Sequence, residues 1–331
     1  WELMNEFVDK GQDIIYNTGS RIPVVKGYTI DNKQNVLEEY QLLRNTIYDS
    51  LGVHDLIRNF ERENIPLSVM VFDHDWHVRG DDNYKRIKSG FTFNTDLIHD
   101  PKEMIDEFHK KGVRIGLVIN PTNGIYPFEQ NYAQAAEFLG LKEQTIIDFD
   151  PLNPKLLDIL FKVFLHPLET LGVDFFWNDS DGKMDLTKLW ALNHYLYLDS
   201  GRDGNKRPLI LSRGGIYAPH RYPVAYGGSS EISWNALKRL PFMYLNAANA
   251  GVSWWSHDVG GNHGGIEEGE LYVRYLQLST FSPILRFHGA RGPYYKKEPW
   301  LWDAKTESIA SNYLRLRHRL IPYLYTEAYN Y

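Results

Sequence analysis

The feature that most constrains this chain is a rhythm of short apolar runs separated by amphipathic stretches. Runs of four to eight apolar or β-branched residues, without two-residue alternation, read as strands buried on both faces of a helix-covered parallel sheet. Eight such runs occur: Ile22–Tyr28, Leu67–Phe72, Val113–Asn120, Phe175–Asp179, Pro208–Arg213, Pro223–Gly227, Gly251–His257 and Pro283–His288. Helical spacing lies between them. Asp100-Pro101-Lys102-Glu103 has the grammar of a helix start, with Met104, Ile105 and Phe108 on one face and Gly112 at the stop. Leu156, Leu157, Leu160, Phe164 and Leu168 mark a second helix, and 186–198, 234–248, 268–280 and 305–328 supply others. The alternation predicts an α/β fold, a (β/α)8 TIM barrel, with residues 1–331 as a single domain. A doubly wound sheet is the competing architecture. No Gly-x-Gly-x-x-Gly follows the first run, which counts against a dinucleotide fold.

Composition narrows the chemistry. The chain has no cysteine, which excludes thiol catalysis, zinc–thiolate sites and iron–sulfur clusters. A net charge of −6 without a basic stripe argues against nucleic acid as a partner. No run of 18 apolar residues suggests a membrane span, and the first residues do not read as a signal peptide. The latter leaves the compartment open, with the cytoplasm only slightly favoured. Aromatic residues make up 14%, with 9 Trp and 22 Tyr. That suits either sugar-ring faces or an ordinary large core.

In a barrel, chemistry sits where strands end and βα loops begin. The predicted strand ends are unusually polar: Asp73-His74-Asp75-Trp76-His77, Asn178-Asp179-Ser180-Asp181, Ser212-Arg213, His257-Asp258 and Arg286-Phe287-His288. Acidic groups, an arginine and histidines are thus expected on one face, flanked by tryptophans. Cleaving a glycosidic bond needs two carboxyl groups, with polar groups to hold hydroxyls and aromatic walls to exclude water. Any single aspartate here could equally cap a helix or pair with arginine. Asp179-Ser180-Asp181-Gly182 lacks the later ligands of a calcium loop, and the histidines lack metal-ligand spacing. No metal or cofactor is therefore expected. Gly260–Gly265 lacks the Lys-Ser/Thr of a phosphate cradle and reads as a flexible active-site loop.

Several of these segments, in order, resemble glycoside hydrolase family 31. Val173–Asp179, ending Trp177-Asn178-Asp179, resembles that family's nucleophile strand. The stretch from Pro66 to Trp76 resembles its second strand, and Leu211-Ser212-Arg213 its fifth. His220–Val224, Trp254–Gly261 and Phe281–His288 resemble the sixth to eighth. The resemblance implies a retaining α-glucosidase-like hydrolase acting on α-linked carbohydrate. Asp179 would be the nucleophile. Asp73, Arg213, Asp258 and His288 would border or bind the sugar, and Trp177, Trp254 and Phe287 would line the pocket. Two departures stand out. Where the family places an acid/base aspartate, alignment of His220 and Trp234 puts Ser229. The chain could be an inactivated variant, a natural pseudoenzyme, or an enzyme using Glu231 instead. Glu231, expected in the first turn of a helix that would favour its charged form, is the poorer proton donor. Loss of the acid is the favoured reading, with a silent carbohydrate-binding barrel or an α-transglucosylase as alternatives. The second departure is residues 1–64, which match poorly, with accessory β domains expected to be absent.

Overall fold

The computed structural model describes residues 50–80, 88–142, 145–180, 184–222, less 214–218, then 224–290 and 295–330. The expected first strand, Ile22–Tyr28, lies outside them. The described residues form two compact units, one of residues 50–55 and Leu67–Tyr226, the other of Leu56–Pro66 and residues 227–330.

In the first unit, α1 (Ser50–Arg62) begins and β1 (Val69–Phe72) follows. Next come α2 (Pro101–Lys110), β2 (Arg114–Ile119), α3 (Tyr132–Leu139), α4 (Pro154–Ile159), α5 (His166–Leu171), β3 (Phe175–Asn178), α6 (Leu186–Ser200), β4 (Ile210–Arg213) and β5 (Val224–Tyr226). The five strands are parallel and adjacent in chain order. Register sorts their residues into faces. Val71, Gly116 and Phe175 share one row, and Val118, Trp177, Leu211 and Val224 the next. Val118, Phe175, Trp177, Leu211 and Tyr226 form one buried cluster. Gly116 belongs there because an added Cβ would stand 2.5 Å from the Phe175 ring. The opposite face meets helices: Asn193 of α6 accepts from Asn178 Nδ2 at 2.7 Å and from Ser212 Oγ at 2.9 Å. Two-residue alternation then assigns Asp73, Asn120 and Asp179 to the cluster's side of the sheet, one step past each strand's apolar rows.

The helix starts follow the sequence. Asp100 accepts from Glu103 N–H at 2.9 Å, Pro101 takes the first position, and Gly112 adopts φ +79° after the last turn. The apolar stripe of 156–168 forms α4 and α5 joined by a π-helical stretch, Leu160–Leu165. Pro167 lies just beyond it and has no N–H for the carbonyl of Val163. That carbonyl accepts from Asn131 Nδ2 at 2.8 Å instead. The wider turn therefore has an identifiable cause and a satisfied acceptor.

The second unit contains α7 (Trp234–Asn249), β6 (Trp254–Ser256), α8 (Gly269–Ser279), α9 (Ala304–Arg319) and α10 (Ile321–Asn330). Phe60, near the end of α1, meets Trp300 edge-on at 5.0 Å, and Arg315 of α9 donates to the carbonyl of Glu63 at 3.0 Å. The single helix expected over 305–328 is divided at Leu320, two residues before Pro322, which cannot continue the hydrogen-bond ladder.

Six strands, not eight, lie among the described residues. The expected Pro283–His288 strand is reduced to one parallel bridge, Asp258 with Arg286, closed by Val259 N–H on the Arg286 carbonyl at 3.1 Å. The Arg317 guanidinium occupies the carbonyls of Ser282 and Pro283, and Ser282 Oγ donates to the carbonyl of Ile284. Acceptors that a ladder would use are already engaged.

Candidate active site

The expected site residues fall into two groups, one in each unit. In the first, β1 delivers Asp73 to a short 3-10 turn, His74–Trp76, whose backbone Asp73 caps by accepting from His74 N–H at 2.7 Å. Trp76, buried, anchors this turn by donating from its indole to the carbonyl of Val118 at 2.8 Å. β3 delivers Asp179, which is buried. Its backbone N–H donates to Ile119 O at 3.0 Å, and its carbonyl accepts from Asn120 Nδ2 at 3.0 Å. The Asp179 carboxylate meets His74: Nε2 lies 3.4 Å from Oδ2 and 3.8 Å from Asp73 Oδ1. Trp177 packs edge-on against Tyr226 within the buried cluster at 5.5 Å. Arg213 ends β4 opposite Tyr226, and its side chain lies outside the described residues, as does Asp181.

The neighbouring acid and histidine have structural duties. Asp75 is buried in an ion pair with Arg79 four residues on. His77 donates from Nδ1 to the carbonyl of Val78 at 2.8 Å, and burial pushes its pKa down to about 3, so its ring is neutral. Gly90 must be glycine because its Cβ would fall 1.9 Å from that ring.

In the second unit, Ser229 and Glu231 are both exposed. Glu231 does not lie in a helical first turn. The cap of α7 is Ser233, whose hydroxyl accepts from Ala236 N–H at 3.1 Å, and Glu231 precedes it in a parallel bridge with His263. The stabilisation of its charged form by a helix end therefore does not apply as expected. Gly227 is fixed by close approach, since a Cβ there would meet Trp255 at 2.4 Å.

Trp254 is half-buried in β6. Asp258 is buried in full: Oδ1 accepts from Arg286 Nη2 at 2.6 Å and Oδ2 from Asn262 Nδ2 at 2.8 Å. Arg286 Nε also donates to Ser256 Oγ at 2.9 Å. Arg286, Asn262 and Ser256 were not singled out by role in the sequence, although Arg286 stood at a polar strand end. Phe287 is half-buried and stacks on Tyr272 of α8 at 6.2 Å, and His288 is half-buried beside it. His257 faces the helices, bonded to Tyr244 and, at 2.9 Å, to Ser279 Oγ. Burial lowers its pKa to about 4, so its ring is neutral.

The glycine loop is better held than its composition suggests. Gly260, Gly261, Gly264 and Gly265 all have positive φ. A Cβ on Gly265 would meet the Ile232 carbonyl oxygen at 1.9 Å, and one on Gly261 would meet Ile232 Cα at 2.7 Å. Asn262 N–H donates to Ser230 O at 2.7 Å, and the buried Lys297 ammonium binds Gly261 O. Burial lowers Lys297 to about 8, offset in part by Asp258, Glu267 and Glu298. The glycines allow backbone to pack on backbone, so the loop supports the segment bearing Ser229 and Glu231.

Among the described residues, His166, Glu169 and Asp199 form the group whose ligand atoms lie close enough to face one cation. Arg202, 2.6 Å from Glu169, and Lys206, 3.2 Å from it, already supply positive charge there.

Residues 36–327 match the family described as glycosyl hydrolases family 31, TIM-barrel domain. The chain belongs to glycosyl hydrolase family 31. Among curated relatives, an α-xylosidase of Saccharolobus solfataricus is 28% identical over 308 residues, covering 84% of this chain and 40% of that protein. An isomaltosyltransferase of Sporosarcina globispora is 25% identical, over 83% of this chain and 30% of that protein. The chain thus spans well under half the length of these relatives. Among solved structures, a Flavobacterium johnsoniae dextranase with bound glucose superposes with a TM-score of 0.71 at 20% identity, covering 86% of this chain and 39% of that one. A soil-metagenome α-xylosidase complexed with xylose gives 0.69 at 23% identity, covering 84% and 47%. These likenesses concern the fold.

Proposed function

We propose that this domain is the catalytic barrel of a retaining α-glycoside hydrolase, α-glucosidase-like, in which Asp179 is the nucleophile and Ser229 stands where the acid/base belongs. The observation that carries the reading is the buried Asp179 carboxylate at the end of β3, backbone-bonded on both sides and touched by His74. The relatives' names, α-xylosidase and isomaltosyltransferase, support α-linked carbohydrate as the substrate class. Asp73, Arg213, Trp177, Trp254, Phe287 and His288 are the proposed sugar contacts. Asp258, whose two oxygens are engaged inside the chain, serves in this reading to fix Arg286 and Asn262.

A retaining enzyme makes two displacements. Asp179 attacks the anomeric carbon while the leaving oxygen takes a proton, giving a β-glycosyl ester. Water, deprotonated by the same acid/base, then attacks that carbon and expels the carboxylate. Serine cannot supply the proton or accept it near neutral pH, and acid/base help is worth typically about 10²–10⁴-fold. The chain should therefore be nearly inert on α-linked oligosaccharides yet accept α-glycosyl fluorides, whose leaving group needs little protonation. Azide should accelerate that turnover and yield the α-glycosyl azide, since two inversions restore the starting configuration. The β-azide would mean one direct displacement and would contradict Asp179 as nucleophile. Ser229→Asp should restore action on natural glycosides, and Glu231→Gln should change little. If Glu231→Gln instead destroys an activity of the parent chain, Glu231 is the acid/base. The second reading, a silent carbohydrate-binding barrel, is favoured by the same Ser229. It requires sugar-induced thermal stabilisation with no turnover of any fluoride.

A further inference from the structure

We infer that His74 is a positioning residue for the nucleophile, an assignment that rests on the reading of Asp179 given above. Three observations point to it. The ring is buried, with 11% of its side chain exposed, and so is the Asp179 carboxylate at 12%. Nε2 faces both site carboxylates, 3.4 Å from Asp179 Oδ2 and 3.8 Å from Asp73 Oδ1. The other ring nitrogen, Nδ1, is buried with no hydrogen-bond partner among the described residues. The neighbouring His77 ring, 6.3 Å away and nearly perpendicular, is neutral and tied to the carbonyl of Val78.

These facts fix the tautomer. An unpaired buried N–H costs more than an unpaired lone pair beside two anions, so the proton belongs on Nε2 and points at the carboxylates. A donor held on Oδ2 stops the carboxylate from rotating and leaves Oδ1 as the attacking atom. When the glycosyl ester forms, Oδ2 becomes its carbonyl oxygen. When the ester is cleaved, the same N–H receives the returning negative charge. Preorganised donors of this kind act where charge develops. A separation of 3.4 Å without substrate is compatible with the role, because catalytic hydrogen bonds tighten in the reacting complex. The turn holding His74 is rigid by construction: Asp73 caps it and Trp76 pins it to β2.

A hydrogen bond to a charged group is worth enough that its loss should slow the displacement roughly 10- to 100-fold. The test measures the rate at which an activated fluoro-sugar labels the chain, beside the affinity for a neutral competitive sugar. His74→Phe, which keeps a ring in the cavity, should slow labelling by that factor and leave sugar affinity unchanged. His74→Gln, whose amide Nε2 can occupy the same place, should recover a substantial part of the rate. If His74→Phe labels at the parent rate, the inference is wrong. If rate and sugar affinity fall together and Gln rescues neither, the role is structural and the inference is again wrong. Mapping the label in the parent chain separates the two claims: a label elsewhere than Asp179 removes the nucleophile reading and this one with it, whereas a label on Asp179 that His74→Phe does not slow removes only this one.

Discussion

Asp258 is a strand-end carboxylate whose oxygens are engaged inside the chain. Its position after an apolar run marks it as a strand-end carboxylate, but its partners come from segments that spacing cannot bring together: Arg286, 28 residues on, and Asn262 in the glycine loop. With no side-chain surface exposed, it is a buried ion pair. Removing one member of such a pair strands a charge and costs about 3–5 kcal/mol. Arg286→Met should lower the urea midpoint of the chain accordingly, and Asp258→Asn added to it should recover part of the loss. A change below about 1 kcal/mol for Arg286→Met would show that the pair is not what holds this segment. Asp75 and His257 teach the same lesson. Their residue types fit a sugar site, but Asp75 is engaged by Arg79, and His257 by Tyr244 and Ser279, partners that spacing alone does not reveal. Asp73, His74 and Asp179 were legible as a group because each follows a strand by one or two residues, where the inner face meets the loops.

At the scale of elements, caps and stops were readable because they depend on residues a few positions apart, as in Asp100, Pro101 and Gly112. The π-helical stretch was not, because it needs Asn131 to take the carbonyl released by Pro167. Nor was the rigidity of Gly260–Gly265, which comes from its approach to Ile232. Loop support also carries a pH dependence. Glu129 is buried and holds the segment after Gly90 by accepting from Phe91 N–H at 3.1 Å and from Thr92 Oγ1 at 2.6 Å. Burial pushes its pKa from 4.5 up to about 7, against those hydrogen bonds. With the folded value raised, its contribution to stability is full below pH 4.5 and is lost as pH rises through about 7. The loss is on the order of 3 kcal/mol. Glu129→Gln keeps an acceptor oxygen and cannot ionise. Its stability relative to the parent should climb between those pH values and level off above them in a denaturation series. A difference independent of pH would contradict the assignment.

For the whole molecule, the alternation of apolar runs with helical stripes was sufficient to predict the class of fold, because each βα unit repeats the same burial requirement. The match over residues 36–327 and the likeness to solved family members agree with that class. What the pattern could not give was the length of each strand. Pro283–His288 reads as apolar enough for a full strand, yet Arg317 takes the carbonyls a ladder would use, and only the Asp258–Arg286 bridge remains. The proposed function rests on one side chain, because every other proposed role is arranged around a covalent bond at Asp179. The most direct measurement is therefore to trap the chain with an activated fluoro-α-glycoside, digest it and locate the sugar by mass spectrometry, in the parent and in Asp179→Asn. One sugar per chain is expected on Asp179 and no label in the variant, since an amide cannot form the ester. A label on Asp73, Asp181 or Glu231, or one that persists in Asp179→Asn, would contradict it.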